Sequence, residues 1–271
     1  MTLHIPKIQI YVTIRCNLNC KLCSTYCPYL TNPHDLDYNA FKKDITRFFE
    51  FVDTVGRMEL TGGEPLLNQH LPDMINFLYD FGNRIDDLRL LSNGHNLPSV
   101  KLLETIRNNV DNGVRFTVLI DDYGPELSLC AENAERLYKS TGAKVEKRDY
   151  WSDSMYMGGW VDFEVSMEMK RTRDQVMQNP EKCANNELQM HSMWDGIIYP
   201  CGRGIYYYEL CDAPESPDCV LIHDDLKSPE QLRNELFKYW NSEYYKPCSY
   251  CNGLSSSDKR RFPPAKQLSN Q

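Results

Sequence analysis

The chain begins with a β-branched run at 8–13, IQIYVT, that leads straight into a group of cysteines. Short apolar spacing of this kind predicts a first core strand. The period then lengthens. Phe41, Ile45, Phe48, Phe49 and Val52 recur at helical spacing behind Asp37, a residue suited to capping that helix. The two periods go on alternating. A short strand at 58–60 ends in TGGEP. A helix opens at Leu71 and Pro72 and is closed by Gly82. A strand at 88–91 ends at Ser92, Asn93 and Gly94, and a helix runs through 100–106. A strong strand at 114–120, a helical stretch at 125–138, a strand at 143–145 and one more at 161–165 follow.

Alternating strands and helices predict an α/β fold with a parallel sheet and right-handed crossovers. Function in such folds gathers at the C-terminal strand ends. Here those ends carry the cysteine group, then TGGEP, then SNG, then Asp121 and Asp122, which together describe one site. From about Asn179 the pattern becomes Cys-rich and short-stranded, with one helix at 229–240. The boundary falls near 170–182 and divides the chain into a first domain at 1–175 and a smaller one at 176–271. The tail after Asn252 is polar, with Pro and Ser, and its end is expected to fray.

Bulk composition narrows the class. A length of 271 residues allows one large domain, or one domain with a small appendage. The formal net charge is -8 and no Lys/Arg-rich run is present, so a nucleic-acid partner is not expected. No apolar run approaches the roughly 20 residues of a membrane span, so no membrane partner is expected either. The N-terminus is too polar for a signal peptide, and a cytoplasmic protein is expected. Eleven cysteines are many for such a chain. Disulfides would need an oxidising compartment, whereas clustered cysteines elsewhere more often bind metal or react.

The first group is Cys16-x3-Cys20-x2-Cys23. Three thiolates on a compact loop can hold three irons of a 4Fe–4S cubane and leave the fourth iron open. A zinc site with Cys27 as fourth ligand is the alternative. One βα unit later, the glycines of TGGEP permit close approach of a ligand to the backbone, and Glu64 offers a carboxylate suited to an ammonium group. On its own, the Gly pair reads as a plain turn.

Taken in order, CxxxCxxC after the first strand and GGE after the second resemble the signature of the radical S-adenosylmethionine (AdoMet) superfamily. The resemblance covers roughly residues 8–165 and implies a partial (β/α)6 barrel. It implies that Cys16, Cys20 and Cys23 ligate a 4Fe–4S cluster whose open iron is chelated by the amino and carboxylate groups of AdoMet. Gly62, Gly63 and Glu64 would face the methionine amino group, and Ser92 and Asn93 the ribose or carboxylate. Asp121 and Asp122 would face ribose or substrate. The residue before the third cysteine is often aromatic in this family and lies near adenine; here it is Leu22. The implied chemistry is reductive cleavage of AdoMet and hydrogen-atom abstraction from substrate, with electrons from a flavodoxin- or ferredoxin-type donor.

Cys183, Cys201, Cys248 and Cys251 have a spacing that resembles the twitch form of the SPASM appendage. The resemblance implies one auxiliary 4Fe–4S cluster with no open iron; a zinc knuckle is the alternative. The sequence MHSMWDGIIYPC reads as a hairpin turning at Gly196. A fully ligated cluster suits electron relay, and so net oxidation of a small polar substrate of sugar, aminosugar or cyclitol type, as in aminocyclitol dehydrogenase-type members. Peptide modification or epimerisation with a Cys hydrogen donor is the alternative, with Cys211 or Cys219 as donor. Cys27 and Cys130 read as inert small hydrophobes. Among Lys144, Lys147, Arg148 and Asp149, Arg148 is the candidate for proton transfer, set against a solvated charged face.

Overall fold

The alternating periods become five parallel strands laid down in sequence order. In a computed structural model of the chain, residues 2–178, 183, 189–211, 218–253 and 260–269 are described. The strands are β1 His4–Thr13, β2 Thr54–Gly62, β3 Ile85–Ser92, β4 Phe116–Asp122 and β5 Lys144–Asp149. The crossovers carry helices α1 Tyr38–Phe51, α2 Leu71–Leu78, α3 Val100–Asp111 and α4 Ala131–Lys139. A short helix α5, Arg173–Met177, precedes β6 Met190–Trp194 and β7 Ile197–Tyr199. Helix α6 Gly202–Leu210, strand β8 Val220–Leu221 and helix α7 Pro229–Trp240 complete the order. The sheet runs β5-β4-β3-β2-β1-β6-β7-β8, and β6 lies parallel to β1 in the register Ile8↔His191. It is a mixed α/β fold built on parallel strands.

Local chemistry explains the elements. Ile5, Ile8, Ile10 and Val12 of β1 are wholly buried, as befits a central strand covered on both faces. The Asp37 carboxylate accepts the backbone N–H of Asn39 and Ala40 at 2.8 and 3.1 Å and starts α1. Phe41, Ile45, Phe48 and Phe49 then face the core. Ser228 and Gln231 form a reciprocal cap at the start of α7, with Pro229 in the first turn.

Three expectations are corrected. Residues 161–165 are not a strand. Glu164 sits at φ 72° and breaks the extended path, and the position beside β1 is taken by β6. Gly82 does not close α2, which ends at Leu78; it lies inside a 3-10 stretch, Tyr79–Arg84. Helix α4 starts at Ala131 because Ser128 holds the preceding turn, donating to the Asn93 carbonyl at 2.6 Å and accepting the Tyr123 N–H at 2.8 Å. Residues 260–269 of the tail fold back over the loop that follows β1, and its end lies outside the described residues.

The hairpin at Gly196 is present. Asp195 and Gly196 take φ of 47° and 72° between the paired residues Trp194 and Ile197, a two-residue turn with both centres left-handed. Asp44 of α1 anchors it, accepting the Gly196 N–H at 2.9 Å while its other oxygen pairs with His223 at 2.6 Å.

Candidate cluster and cofactor site

The loop after β1 carries the first cysteines to the C-terminal edge of the sheet. Cys16, Cys20 and Cys23 pack with Leu18 and Ala265, and Tyr123, Leu127 and Trp160 close the same patch. Burial pushes the Cys16 and Cys20 thiols up to about 12. Cys23 behaves oppositely. Hydrogen bonding with Cys27 and with the Thr25 hydroxyl, 3.0 Å away, pulls it down to about 6, while Cys27 is pushed up. Buried sulfurs that resist ionisation need compensating positive charge before they can all be thiolates, and iron supplies it. Among the described residues no three such side chains converge on the position of one ion. Ligands to a cubane each take a different iron, so they need not converge. Cys27 lies beside this set, hydrogen-bonded with Cys23 and with the Thr25 hydroxyl 3.3 Å away; the three thiols of CxxxCxxC fit a cluster with one open position if Cys27 keeps its proton, as its raised pKa favours.

The glycines of TGGEP serve a different purpose from the one expected. A Cβ on Gly62 would stand 1.9 Å from the Thr13 carbonyl oxygen, and one on Gly63 would stand 1.9 Å from that of Arg15. The close approach is made by the chain itself, where the cysteine loop crosses the end of β2. Gly63 N–H donates to Thr13 and Glu64 N–H to Arg15, each at 2.9 Å. Glu64 likewise turns inward. Its carboxylate is fully buried and accepts the Leu66 N–H at 3.2 Å, the Ser92 hydroxyl at 3.1 Å and the Asn93 N–H at 2.8 Å. Burial raises its pKa to about 7 despite these donors.

Ser92 and Asn93 thus reach the site through Glu64. Asn93 extends the network by donating from Nδ2 to Asn17 Oδ1 at 2.7 Å, with Cys16 Sγ 3.8 Å away. Asn17 Nδ2 is then left buried with no acceptor. An orphaned donor beside a cysteine ligand is what a polar ligand at the open position would satisfy. Leu22 is half-buried beside Cys23.

Strand alternation separates the two aspartates at the end of β4. Asp122 Oδ1 accepts the Gly124 N–H at 2.9 Å, and Lys147 lies 3.7 Å from its other oxygen. Asp121 faces Tyr123 and is held by both arms of Arg148, at 2.5 and 2.9 Å. Burial raises the Asp121 carboxyl even against that cation. Burial alone would lower Arg148, but Asp121 more than reverses this and holds the guanidinium above its ordinary range. A guanidinium so paired takes no proton, so Arg148 is corrected from proton acceptor to the residue that positions Asp121. Tyr123, Tyr150 and Trp160 stack edge-on around this pair, with Tyr123 and Trp160 ring centres 5.4 Å apart.

The second cysteine set also comes together. Cys201, Cys248 and Cys251 each feel one another's charge or that of Cys183. Burial pushes Cys201 up to about 11 and Cys251 to about 12. Cys201 opens α6, and Cys248 and Cys251 flank the end of a 3-10 turn, Lys246–Tyr250. The Arg203 guanidinium lies close enough to Cys201 and Cys251 to lower both.

Between the two sets stands Tyr11, a buried phenol that senses Cys27, Cys201 and Cys23. A Cβ on Gly202 would meet its hydroxyl at 2.7 Å, so the missing side chain lets α6 settle on β1. Cys211 is exposed at the far end of α6, Cys219 is buried, and Cys130 precedes α4. Sequence reading missed Asn17, Thr25, Tyr11 and Gln267. Only the first two carried a signal, being polar residues inside the cysteine loop.

No protein-family model matches the chain. The chain, with its parallel sheet, its cysteine loop after β1 and its glycine turn after β2, is similar in part of its sequence and in its fold to known proteins. It is 31% identical over 130 residues to GTP 3′,8-cyclase of Nautilia profundicola, covering 46% of this chain and 37% of that protein. It is 30% identical over 149 residues to a probable GTP 3′,8-cyclase of Methanococcus aeolicus, covering 52% and 43%. The chain therefore spans less than half the length of these curated relatives. The solved structure of BtrN in complex with AdoMet and 2-DOIA shares the fold at TM-score 0.54 and 17% identity, over 97% of this chain and 99% of that one. Streptococcus suis SuiB bound to its precursor peptide SuiA does so at TM-score 0.51 and 11% identity, over 86% and 67%. Among the described residues no helix is long and apolar enough to cross a membrane.

Proposed function

We propose that the protein is a radical AdoMet oxidoreductase acting on a small polar substrate of sugar, aminosugar or cyclitol type. The observation that carries this reading is the approach of the two cysteine sets, with Gly202, next to Cys201, packed against Ser24, Thr25 and the Tyr11 hydroxyl. The end-to-end likeness to the fold of BtrN, solved with the small molecule 2-DOIA, supports it. When bound, AdoMet and a reduced 4Fe–4S cluster supply a 5′-deoxyadenosyl radical that can take a hydrogen atom from an unactivated C–H bond.

The chain's own residues do the rest. Cys16, Cys20 and Cys23 hold that cluster and leave one position open. The Gly62 and Gly63 turn and the Glu64–Ser92–Asn93 network fix the rim of the AdoMet site, and Asn17 offers it a free amide donor. Leu22, half-buried beside Cys23, would stand at the position the resemblance puts near adenine. Asp121, buried and held by Arg148, is the group able to receive a substrate hydroxyl proton. Tyr123 and Trp160 keep water away. Cys183, Cys201, Cys248 and Cys251 would hold an auxiliary cluster with no open iron, a group whose chemistry is electron transfer. External electrons come from a flavodoxin- or ferredoxin-type donor.

The peptide-modifying or epimerising alternative has one observation in its favour. Cys211 presents an exposed thiol on α6, in a fold shared with peptide-bound SuiB. Iron analysis of anaerobically reconstituted protein tests the two-cluster reading. About eight irons per chain are expected in the parent and about four in a Cys16/Cys20/Cys23→Ala variant. About four in the parent and none in the variant would remove the relay. Oxidised product should form in step with 5′-deoxyadenosine, and a redox-neutral product would overturn the oxidoreductase assignment.

A further inference from the structure

Residues 260–269 make two attachments. Phe262 exchanges both backbone hydrogen bonds with Trp160, each at 2.9 Å. Farther along, the chain runs antiparallel to the cysteine loop. Lys21 N–H donates to the Lys266 carbonyl at 2.7 Å, and Leu268 N–H to that of Asn19 at 2.8 Å. Between these two bonds the Gln267 side chain lies across the loop. Its Oε1 accepts the Asn19 N–H at 2.7 Å, and its Nε2 donates to Cys20 Sγ at 3.2 Å and to the Ala265 carbonyl at 2.6 Å. Ala265 is buried to 1% exposure against Leu18 and Cys20 at a left-handed φ of 52°. Beyond that apolar contact the segment is largely polar. It is held by hydrogen bonds to the loop and to one sulfur.

The bonds from Lys266, Gln267 and Leu268 to the loop all fall on residues 19–21, in the middle of the three-cysteine loop. The sulfur it reaches belongs to the least exposed of the three residues, Cys20 at 6%, where Cys16 and Cys23 are half-buried. An N–H directed at a cluster thiolate stabilises the more negative, reduced state, and so raises the reduction potential. We propose that residues 260–269 are a strap across the cluster loop, and that Gln267 is a positioning residue whose amide sets the reduction potential of the cluster held by Cys16, Cys20 and Cys23. The proposal rests on the assignment of those three cysteines as cluster ligands. The strap fixes the loop through Asn19 and Lys21, and Gln267 tunes it through Cys20.

The two roles separate in one substitution. Gln267→Glu keeps the acceptor for Asn19 and the side-chain shape but replaces the donor to Cys20 with an acceptor. The experiment is an EPR-monitored redox titration of reconstituted full-length protein, with and without AdoMet, on the parent, Gln267→Glu and Gln267→Ala. The AdoMet-sensitive signal identifies the cluster with the open iron. Its midpoint should move to lower potential in Gln267→Glu, with iron content at the parent level, while the AdoMet-insensitive signal stays in place. Gln267→Ala, which also loses the Asn19 bond, should lower the midpoint and speed cluster loss in air. An unchanged midpoint in Gln267→Glu overturns the tuning role while leaving the cluster assignment intact. A parent without any AdoMet-sensitive signal overturns both. If Gln267→Ala fails to load iron, Gln267→Glu alone decides.

Discussion

At the scale of single residues, the site is organised around contacts the chain makes with itself. Gly63 shows this most directly. Its backbone has no left-handed requirement, yet a methyl there would stand 1.9 Å from the Arg15 carbonyl oxygen, one residue before Cys16. Gly63→Ala is therefore expected to push the cysteine loop off β2. Iron bound at the first set should fall by at least half, with the far-ultraviolet spectrum retained; parent-level iron would show that the loop can yield. Glu64 is the second case. Three donors from this chain converge on its buried carboxylate. Gln at this position would turn an NH2 toward at least one of them. An unmatched buried donor pair costs about 1–3 kcal/mol, so Glu64→Gln should lower the urea midpoint measurably. An unaltered midpoint would mean that the network rearranges at no cost. The motif GGE was legible in the sequence as a site marker. That its glycines admit a backbone, and that its glutamate braces β3, depends on where residues 13–15 cross, which no local pattern encodes.

At the scale of elements, β1 to α4 were readable because the hydrophobic period switches cleanly and the switch points carry capping and turn residues such as Asp37 and Ser99. The sixth parallel strand was misplaced for a physical reason. VDFEV at 161–165 alternates like a strand and does bury Phe163 and Val165 in part, but Glu164 adopts φ 72° and its neighbours bond locally. Strand β6 was readable as one arm of a hairpin. Its pairing with β1, some 180 positions back in the chain, is a long-range choice set by burial. His191 on β6 gives that choice a measurable consequence. It sits at 1% exposure among Tyr239, Trp240 and Tyr245, and burial lowers its pKa to about 4. An unfolded histidine titrates near 6.5. Above that value neither state is protonated and the residue adds no pH dependence. Between about 6.5 and 4 the unfolded chain binds the proton first, so stability is lost as pH falls, by up to about 1.4 kcal/mol per pH unit. His191→Gln keeps a donor for the Pro200 carbonyl but cannot titrate. Denaturation curves collected across this window should slope less in the variant than in the parent; identical slopes would count against a buried neutral imidazole.

At the scale of the whole molecule, the C-terminal region and the barrel strands share one sheet, and the second cysteine set is bound to the first through α6. Arg203 is the fastener. It is 3% exposed, and its two arms reach the carbonyls of Glu164, Ser166 and Tyr250 at 2.9, 2.8 and 2.8 Å. Its plane lies near the rings of Tyr26 and Tyr206, which stack on each other 4.6 Å apart. One side chain thereby joins the segment after β5, the cysteine loop's Tyr26, helix α6 and the turn that carries Cys248 and Cys251. Its charge also faces the sulfurs of Cys201 and Cys251, where a cluster with four thiolates would be net negative. A lysine keeps the charge but cannot fork to three carbonyls. Arg203→Lys should therefore cost roughly 2–4 kcal/mol of stability, in the range for a broken buried charge network. The loss should be unequal across the molecule. Iron should fall from about eight toward about four per chain, while the AdoMet-sensitive EPR signal of the first cluster persists, because the bonds that hold the loop at 15–23 run to Glu64, Asn93, Tyr29 and residues 266–268 and not to Arg203. Equal loss of both signals would instead mean that the two cysteine sets fold as a single unit, with α6 required for the first as much as for the second.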